Sequence, residues 1–223
     1  TVASSLSLVS CKLYVDYVYL DTDERRRFAQ VSHEYLIEQV QFTGSESKNA
    51  TDTNKNVTLN FNHPVKELVW AHVTNLHLTV GNAATSCRWF NYSGSDAAAG
   101  TDSFTTALLQ LNGHDRFSVR NADYFRKVQN YEHHTRVPRV GADLNGISTD
   151  PKGVRRQYIY TYSFALSPEE HQPSGTCNFS RIDNAVLQLA YPTTHVAASL
   201  NVYAVNYNVL RIMSGMGGLA YSN

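Results

Sequence analysis

Apolar and polar residues alternate with a period of two in eight separate segments of this 223-residue chain. Such alternation is typical of β-strands, because successive side chains of a strand point to opposite faces. Helical patterns do not alternate regularly with these segments, which argues against a parallel α/β fold. The sequence therefore predicts an all-β domain, an eight-stranded antiparallel jelly-roll sandwich. The predicted strands cover residues 11–20, 35–43, 56–62, 66–80, 104–111, 156–166, 184–191 and 199–213.

Two of the predicted strands have unusual patterns. The first strand, 11–20, is apolar on both faces, so we expect it to be covered on both sides, by another domain. In the last strand, 199–213, the apolar positions are even up to residue 204 and odd from residue 205. A phase change of one residue inside a strand indicates a β-bulge, which redirects the side chains that follow.

Short helices are predicted in two of the connections. Asp21 or Thr22 can cap a helix over 21–30, in which acidic residues precede three arginines. This order complements the helix dipole and favours a solvated face over a phosphate site. Asn121 is the expected cap of a second helix that runs to about His133.

The composition favours self-association over binding to a charged polymer. Lys plus Arg and Asp plus Glu are 19 each, so the formal net charge is zero. No long-range field attracts nucleic acid, and low net charge promotes association between copies. The sequence contains no run of 18 apolar residues, so it predicts no transmembrane helix.

The domain organisation is predicted to be a linker over 1–10, a jelly-roll domain over 11–213 and a flexible tail over 214–223. The chain starts without Met or a basic region, so we expect that its start is not a signal peptide. We also expect the chain to be a piece of a longer protein. Cysteines 11, 87 and 177 lack metal-ligand spacing and are expected to be buried free thiols.

The loop between the sixth and seventh predicted strands concentrates turn-forming and polar residues, which predict an ordered turn system. Asn178 and Ser180 can bond backbone groups, and Arg181 can clamp carbonyls or Asp183. We expect this loop to join the two strands and to present a rigid surface. Its candidate structural and assembly residues are His171, Gln172, Pro173, Ser174, Gly175, Asn178, Ser180, Arg181 and Asp183.

Tests for catalytic or metal chemistry in the sequence are negative. Cys177 and His171 are six residues apart in one loop, which is no recognised dyad arrangement. Glu169 and Glu170 are better interpreted as a solvated turn. The chain has no His-x-His pair of the kind that metal-binding jelly rolls use. The sequence therefore predicts no catalytic residue, no metal ligand and no cofactor.

Several stretches resemble the major capsid proteins of nucleocytoplasmic large DNA viruses, above all those of chlorella-infecting phycodnaviruses. The signature-like stretch is 171–183, and the resemblance covers nearly the whole chain. The other matching stretches, in order, are 20–41, 61–70, 111–117, 124–125 and 203–211.

The resemblance implies a structural subunit of an icosahedral capsid, without enzymatic activity. In that family a subunit carries two tandem jelly rolls, and three subunits form a pseudo-hexagonal capsomer. This chain matches only the C-terminal roll, one half of a double jelly roll. The implied partners are the chain itself as a homotrimer, neighbouring capsomers and minor capsid proteins. The implied location is the virion, and the implied history is late expression with assembly in the host cytoplasm.

The resemblance also implies covalent glycans. Asn49, Asn56, Asn91 and Asn178 stand in Asn-x-Ser/Thr patterns, whereas the chlorella-virus group is glycosylated largely outside that pattern. Exposed loop asparagines such as Asn82 are therefore candidates as well. The alternative hypothesis is a lectin-like carbohydrate-binding jelly roll, suggested by the aromatic island around Trp89, Phe90 and Tyr92.

Overall fold

The computed structural model describes residues 9–75, 90–94, 100–137, 158–193 and 196–221. Its strand ladders are all antiparallel and form two sheets. The bounds of the elements are α1 Thr22–Gln30, β1 His33–Lys48, β2 Asn54–Thr58, β3 Pro64–Thr74, β4 Thr106–Leu111, β5 His114–Asp115, β6 Arg120–Asn121, α2 Tyr124–Val128 continued by Gln129–His133, β7 Ile159–Ser163, β8 Cys177–Asn178, β9 Ala185–Ala190, β10 Ala198–Met213 and β11 Met216–Leu219.

The strand order of the two sheets is that of a jelly roll. The six-stranded sheet has the order β1-β10-β3-β7, with β11 paired to β10 and β8 paired to β3. The five-stranded sheet has the order β2-β9-β4-β5, with β6 paired to β4. Successive long strands alternate between the two sheets, so most neighbours are distant in sequence. The predicted all-β jelly-roll fold is confirmed.

The core lies between the inner faces of the two sheets. Val202, Trp70 and Tyr160 stand side by side in the six-stranded sheet, and Leu109 and Leu187 stand side by side in the five-stranded sheet. All five side chains are buried. Each large apolar side chain that is withdrawn from water contributes about 1.5–3 kcal/mol.

Aromatic rings fill the centre of this core. Trp70 packs against Phe125 with ring centroids 5.3 Å apart, and Phe104 packs against Tyr160 at 4.5 Å. These rings meet at tilted angles, which suits the electrostatics of aromatic pairs. Since Phe125 belongs to α2, the helix closes one side of the sandwich.

Seven of the eight predicted strands are present, with shifted ends, but the first is wrong. Residues 11–20 have no strand partner in the described structure and are exposed along their whole length. A strand needs a neighbouring edge and cover for its apolar face, and neither is supplied at this position. The two sheets have four strands each along their main orders. The eighth of these strands is the short β5, at the edge of the five-stranded sheet, and not the predicted strand 11–20.

The predicted β-bulge in the last strand is confirmed. The register of β10 against β3 shifts between Val205 and Asn206. After this point Asn206, Tyr207 and Asn208 are all buried in succession, which strict alternation would not allow. The bulge therefore changes which residues of β10 face the interior.

The two predicted helices are present, with one correction to a cap. The carboxylate of Asp21 accepts a hydrogen bond from the backbone of Glu24 at 2.9 Å, and α1 buries none of its residues, which fits the predicted solvated face. Asn121 does not begin α2 as expected, because it pairs with Thr106 in the sheet. The prediction of a flexible tail is wrong for Met216–Leu219, which forms β11 on β10.

Candidate functional site

The loop between β7 and β9, residues 164–184, leads the chain from the six-stranded sheet to the five-stranded sheet and is called the crossing loop here. Its strand β8 pairs with the beginning of β3, with Cys177 opposite Val65 and Asn178 opposite Pro64. The sequence predicted that this loop joins β7 to β9. The structure shows that the loop is also fastened to a third strand, β3.

A 3₁₀ turn over Phe179–Arg181 fixes the C-terminal part of the crossing loop. The side chain of Asn178 accepts a hydrogen bond from the Ser180 backbone at 3.1 Å, and the Ser180 hydroxyl accepts one from the His63 backbone at 2.8 Å. The backbone N–H of Phe179 donates to the His63 carbonyl at 3.1 Å. The predicted roles of Asn178 and Ser180 in bonding backbone groups are confirmed.

Phe179 anchors the crossing loop in the core, and the sequence reasoning missed it. Its side chain is 2% exposed, with ring centroids 6.1 Å from Phe61 and 5.9 Å from Phe164. A phenylalanine within a mainly polar stretch, 167–181, was the available signal. Burying such a ring stabilises the loop by about 1.5–3 kcal/mol, which exceeds any one of its hydrogen bonds.

The middle of the crossing loop requires a glycine, at position 175. Gly175 has a φ of +150°, and a Cβ placed there would lie 2.8 Å from the carbonyl oxygen of Phe164. Next to it, the Ser174 hydroxyl accepts from the Ser167 backbone at 2.9 Å. Two passes of the chain are therefore held closer together than a side chain would permit.

The exit of the crossing loop is tied to the turn between β4 and β5. The side-chain oxygen of Asn112 accepts hydrogen bonds from the backbone of Asp183 at 3.0 Å and of Asn184 at 3.1 Å. The Asn112 backbone in turn donates to the Asn184 carbonyl at 2.7 Å. Asp183 therefore acts through its backbone rather than through its carboxylate.

The predicted clamp by Arg181 is not formed. Arg181 is exposed, and among the described residues its guanidinium has neither Asp183 nor a carbonyl as a partner. Gln172 and Pro173 are also exposed, and His171 is held only by Glu38, with 3.6 Å between Nδ1 and Oε1. The 3₁₀ turn points position 181 outward, because backbone and hydroxyl groups already hold the loop.

The structure offers no reactive dyad at Cys177 and His171. Burial raises the pKa of the Cys177 thiol, so the thiolate that a nucleophile needs is disfavoured. Cys11 is exposed rather than buried, since the segment around it is uncovered, and Cys87 lies outside the described residues. Within the described ranges, no group of three or more His, Cys, Asp or Glu side chains could hold a metal ion.

A buried charge network fixes α2 to the sandwich. Arg126 is 4% exposed and makes two hydrogen bonds to Asp102, from Nε at 2.8 Å and from Nη2 at 3.0 Å. It also pairs with Asp123, and Tyr160 donates its hydroxyl to Asp102 at 2.9 Å. Burial alone would lower the pKa of Arg126, but the Asp102 hydrogen bonds raise it above the ordinary value. The paired charges hold the helix rigidly.

The outer face of the six-stranded sheet carries an apolar surface. Phe42, Tyr203 and Val69 stand side by side on the face opposite to Val202 and Trp70. Phe42 is 47% exposed and stacks on Tyr203 with centroids 4.8 Å apart. The next row holds Val40, which is 66% exposed. We call the set Val40, Phe42, Val69, Ile159 and Tyr203 the outer patch.

The outer patch contains a groove of about 360 Å³. Its lining includes Val69, Ile159 and Tyr203 of the outer patch, together with Ala71 and Tyr92. Apolar surface that remains in a folded domain marks a contact site when it is contiguous. The groove can receive a side chain from a partner protein.

The exposed segment 9–20 is a second uncovered apolar region. Leu13, Tyr14, Val18 and Tyr19 are each more than 85% exposed. The segment lies directly before α1, and it has no strand partner in the described structure. Its two apolar faces are suited to the interior of a sheet that the described residues do not supply.

The glycosylation candidates differ in accessibility. Asn49 and Asn56 are exposed, in the turn before β2 and on β2 itself. Asn178 is exposed, but its side chain caps the 3₁₀ turn. Asn91 is 2% exposed, which is incompatible with a glycan on the folded chain. Asn82 lies outside the described residues.

The two described aromatics of the island, Phe90 and Tyr92, lie in different surroundings. Phe90 is 82% exposed, whereas Tyr92 is half-buried beside the groove of the outer patch. Trp89 lies outside the described residues. A sugar ring can stack on one exposed aromatic ring, and Phe90 is the one of these two that is available to it.

No helix within the described ranges has the length and apolar character to cross a membrane.

A family model described as large eukaryotic DNA virus major capsid protein matches residues 24–154 and 149–218. The chain is 53% identical to the major capsid protein of Pyramimonas orientalis virus, over 99% of this chain and 51% of that protein. It is 43% identical to the major capsid protein of Paramecium bursaria Chlorella virus 1, over 95% of this chain and 54% of that protein.

Among solved structures, the chain is similar to PBCV-1 VP54, which was fitted into a reconstruction of the virophage Sputnik. The TM-score is 0.66 at 42% identity, over 93% of this chain and 56% of that chain. The chain spans about half the length of the curated relatives that it matches.

Proposed function

Because this chain belongs to the major capsid proteins of large eukaryotic DNA viruses, we propose that it is the C-terminal jelly-roll half of a coat subunit that self-assembles into trimeric, pseudo-hexagonal capsomers. The family is one of structural capsid proteins rather than enzymes. The proposed location is the capsid shell of the virion, after late expression and assembly in the host cytoplasm.

The outer patch is the observation that carries the assembly proposal. The side chains of Val40 and Phe42 are 66% and 47% exposed, in the middle of the long strand β1 and just before its register shift. Interface cores are enriched in aromatic and apolar side chains and depleted of charge, which describes this surface. A neighbouring jelly roll would withdraw the patch from water.

The proposed partner for the outer patch is a jelly roll of a neighbouring copy of the full-length subunit. The curated relatives are about twice as long as this chain, which leaves room for one more domain of this size. The exposed segment 9–20 precedes β1 and would lie within that domain. The C-terminal jelly roll, predicted over 11–213, would then begin near α1, and the predicted linker 1–10 would lie before this start. The domain would also include β11, which belongs to the predicted tail 214–223.

Further contacts are proposed from the same membership. The full-length subunit would contact neighbouring capsomers and minor capsid proteins, and it would carry covalent glycans. Asn49 and Asn56 are the sequon candidates that accessibility supports, because both side chains are exposed. Asn82 stays a proposal on sequence alone.

The oligomeric state of the full-length protein tests the assembly proposal. Native mass spectrometry of the purified subunit should give three times the subunit mass. A stable monomer at concentrations on the order of 100 µM, far above the dissociation constants of specific assemblies, would contradict self-assembly. Intact and deglycosylated masses of the same sample would count the glycans.

The carbohydrate-binding alternative has one supporting observation, the exposed ring of Phe90. Glycan-array binding that is lost in Trp89→Ala and Phe90→Ala would favour it. We rank it second, because a jelly-roll fold alone does not specify a function.

A further inference from the structure

The C-terminal end of α2 is held against β3, β7 and the crossing loop by a compact group of polar contacts. The four contacts are Ser163 N to Gln129 Oε1 at 3.0 Å, His133 Nδ1 to the Leu166 carbonyl at 2.9 Å, His134 Nε2 to Glu67 Oε2 at 2.9 Å and Thr135 N to Glu169 Oε2 at 3.1 Å. Only the contact between His134 and Glu67 joins two groups that both titrate near neutral pH.

The surroundings of His134 determine where its protons lie. The side-chain amide of Asn130 donates to the Phe125 and Arg126 carbonyls, at 3.2 Å and 2.8 Å. Its oxygen therefore faces His134 Nδ1, 3.4 Å away, and the tautomer with its hydrogen on Nδ1 fits this contact. Consequently Nε2 of His134 and Oε2 of Glu67 share a single proton.

The shared proton lies in a largely dry site among several charges. The side chains of Glu67 and His134 are 15% and 10% exposed. Lys66 is already paired with Glu38 at 2.8 Å, so its charge is partly neutralised. The charged and titratable groups that act on the pair are Lys66 on β3, Glu38 on β1, His133 on α2 and Glu169 in the crossing loop. Tyr207, Arg136 and His171 lie one contact further out, beside Lys66, Glu169 and Glu38 respectively.

Burial keeps the pair from ionising fully. It raises the pKa of Glu67 to about 7, with Lys66 opposing and Glu169 and Glu38 adding to the rise. Burial also lowers the pKa of His134 below its ordinary value, against the attraction of Glu169. A protonated carboxyl that donates to a neutral imidazole satisfies both groups without a net charge.

We propose that Glu67 and His134 form a one-proton latch that fastens the end of α2 to β3 beside the crossing loop, and that the latch opens when this proton passes to water or when a second proton is taken up. This device is independent of the assembly proposal. In the deprotonated pair a carboxylate faces the lone pair of Nε2, and in the doubly protonated pair an uncompensated imidazolium is buried.

The sign of each titration sets the pH window of the latch. Glu67 has a raised pKa, so its contribution to stability is complete below its ordinary value of 4.5 and is lost as the pH rises to about 7. His134 has a lowered pKa, so its contribution is complete above its ordinary value of 6.5 and is lost as the pH falls through the lowered value. The latch is therefore closed in mildly acidic solution and opens above about pH 7.

A pH titration of the His134 ring by NMR, in the chain and in Glu67→Gln, tests this latch. The wild-type ring and the Thr135 amide should both show a step near pH 7. In Glu67→Gln the step should vanish, because a carboxamide donates to Nε2 but cannot ionise. A His134 ring that titrates near pH 6.5, equally in both proteins, would overturn the proposal.

Amide hydrogen exchange provides a second measurement that does not depend on the Gln variant. After correction for intrinsic rates, the His134 and Thr135 amides should exchange roughly tenfold faster one pH unit above the step than one pH unit below it, because the open fraction rises from about one tenth to about nine tenths. Glu169→Gln is the matched control, since it removes a neighbouring carboxylate and leaves the pair, so the step should remain. Equal protection of wild type at pH 6 and pH 8 would contradict the latch.

Discussion

The two sheets have similar apolar inner faces, but their outer faces differ in polarity. Inside, both contribute large apolar side chains to one core, such as Trp70 from one sheet and Leu187 from the other. Outside, the six-stranded sheet presents the apolar outer patch. The five-stranded sheet instead presents a polar row, in which Gln188 donates to Gln110 and Gln110 donates to Asp115, each at 2.7 Å.

This contrast separates the requirement for folding from the requirement for assembly. A jelly roll folds when two inner faces meet, whatever lies outside. The polar outer face can remain in water, where its side-chain hydrogen bonds have little net effect. The apolar outer face lowers the free energy of the system only when another protein covers it.

The largest effect should come from the inner faces and should be equal in both sheets. Leu200→Ala in the six-stranded sheet and Leu187→Ala in the five-stranded sheet each remove a fully buried side chain. Each should lower the free energy of unfolding by about 2–5 kcal/mol, through lost burial and a residual cavity. Urea unfolding measures both. A cost confined to one sheet would break the claim of a shared core.

An intermediate effect should appear on assembly alone. Phe42→Ser in the full-length protein should weaken trimer formation roughly 10–100-fold, because burial of a Phe ring contributes about 1.5–3 kcal/mol. Its folding free energy should fall by about 1 kcal/mol, from the lost stacking on Tyr203. Analytical ultracentrifugation at graded concentrations measures the association.

Val186→Ser is the matched control for Phe42→Ser. Val186 is half-buried on the outer face of the five-stranded sheet, opposite Gln110. The substitution should leave the association constant unchanged. If it impairs assembly as much as Phe42→Ser does, the two outer faces do not differ in role.

The smallest effect should come from the polar row. Gln188→Leu removes the hydrogen bond to Gln110 on a partly solvated surface. We expect a loss of about 0.5–1 kcal/mol in unfolding free energy, the usual net value of a neutral hydrogen bond. A double-mutant cycle with Gln110→Leu isolates the pair. A coupling above about 2 kcal/mol would show that this face is more than a solvated surface.

Much of the fold could be predicted because its signals are local. Alternation located seven strands, the phase change located the bulge at Val205, and the acidic residue Asp21 marked the start of α1. The resemblance to the viral capsid family is confirmed by the family match. These features depend on neighbouring residues, and so one sequence suffices to find them.

The errors concern residues whose environment is made by distant parts of the chain. The segment 11–20 has a strand-like pattern, but pairing depends on an available edge, which no pattern contains. Arg181 was given a clamping role by its chemistry, whereas the backbone of the 3₁₀ turn points it to solvent. Glu67 and His134 are 67 residues apart, so their shared proton had no sequence signature.

The role of Phe179 was missed for a related reason. Its partners Phe61 and Phe164 come from different parts of the chain, and a polar loop gives no periodicity from which to infer burial. The crossing loop was correctly predicted to be ordered, but Phe179, its buried aromatic anchor, was not recognised.

The geometry at Gly175 limits which amino-acid substitutions the crossing loop can accept. A deep mutational scan of the crossing loop should find broad tolerance at the exposed residues His171, Gln172 and Pro173, and near-total intolerance two positions later. The reason is steric, since every other amino acid brings a Cβ to within 2.8 Å of the Phe164 oxygen. Substitution in the outward-facing part of this loop is therefore most restricted at Gly175, a position that is itself only half-buried.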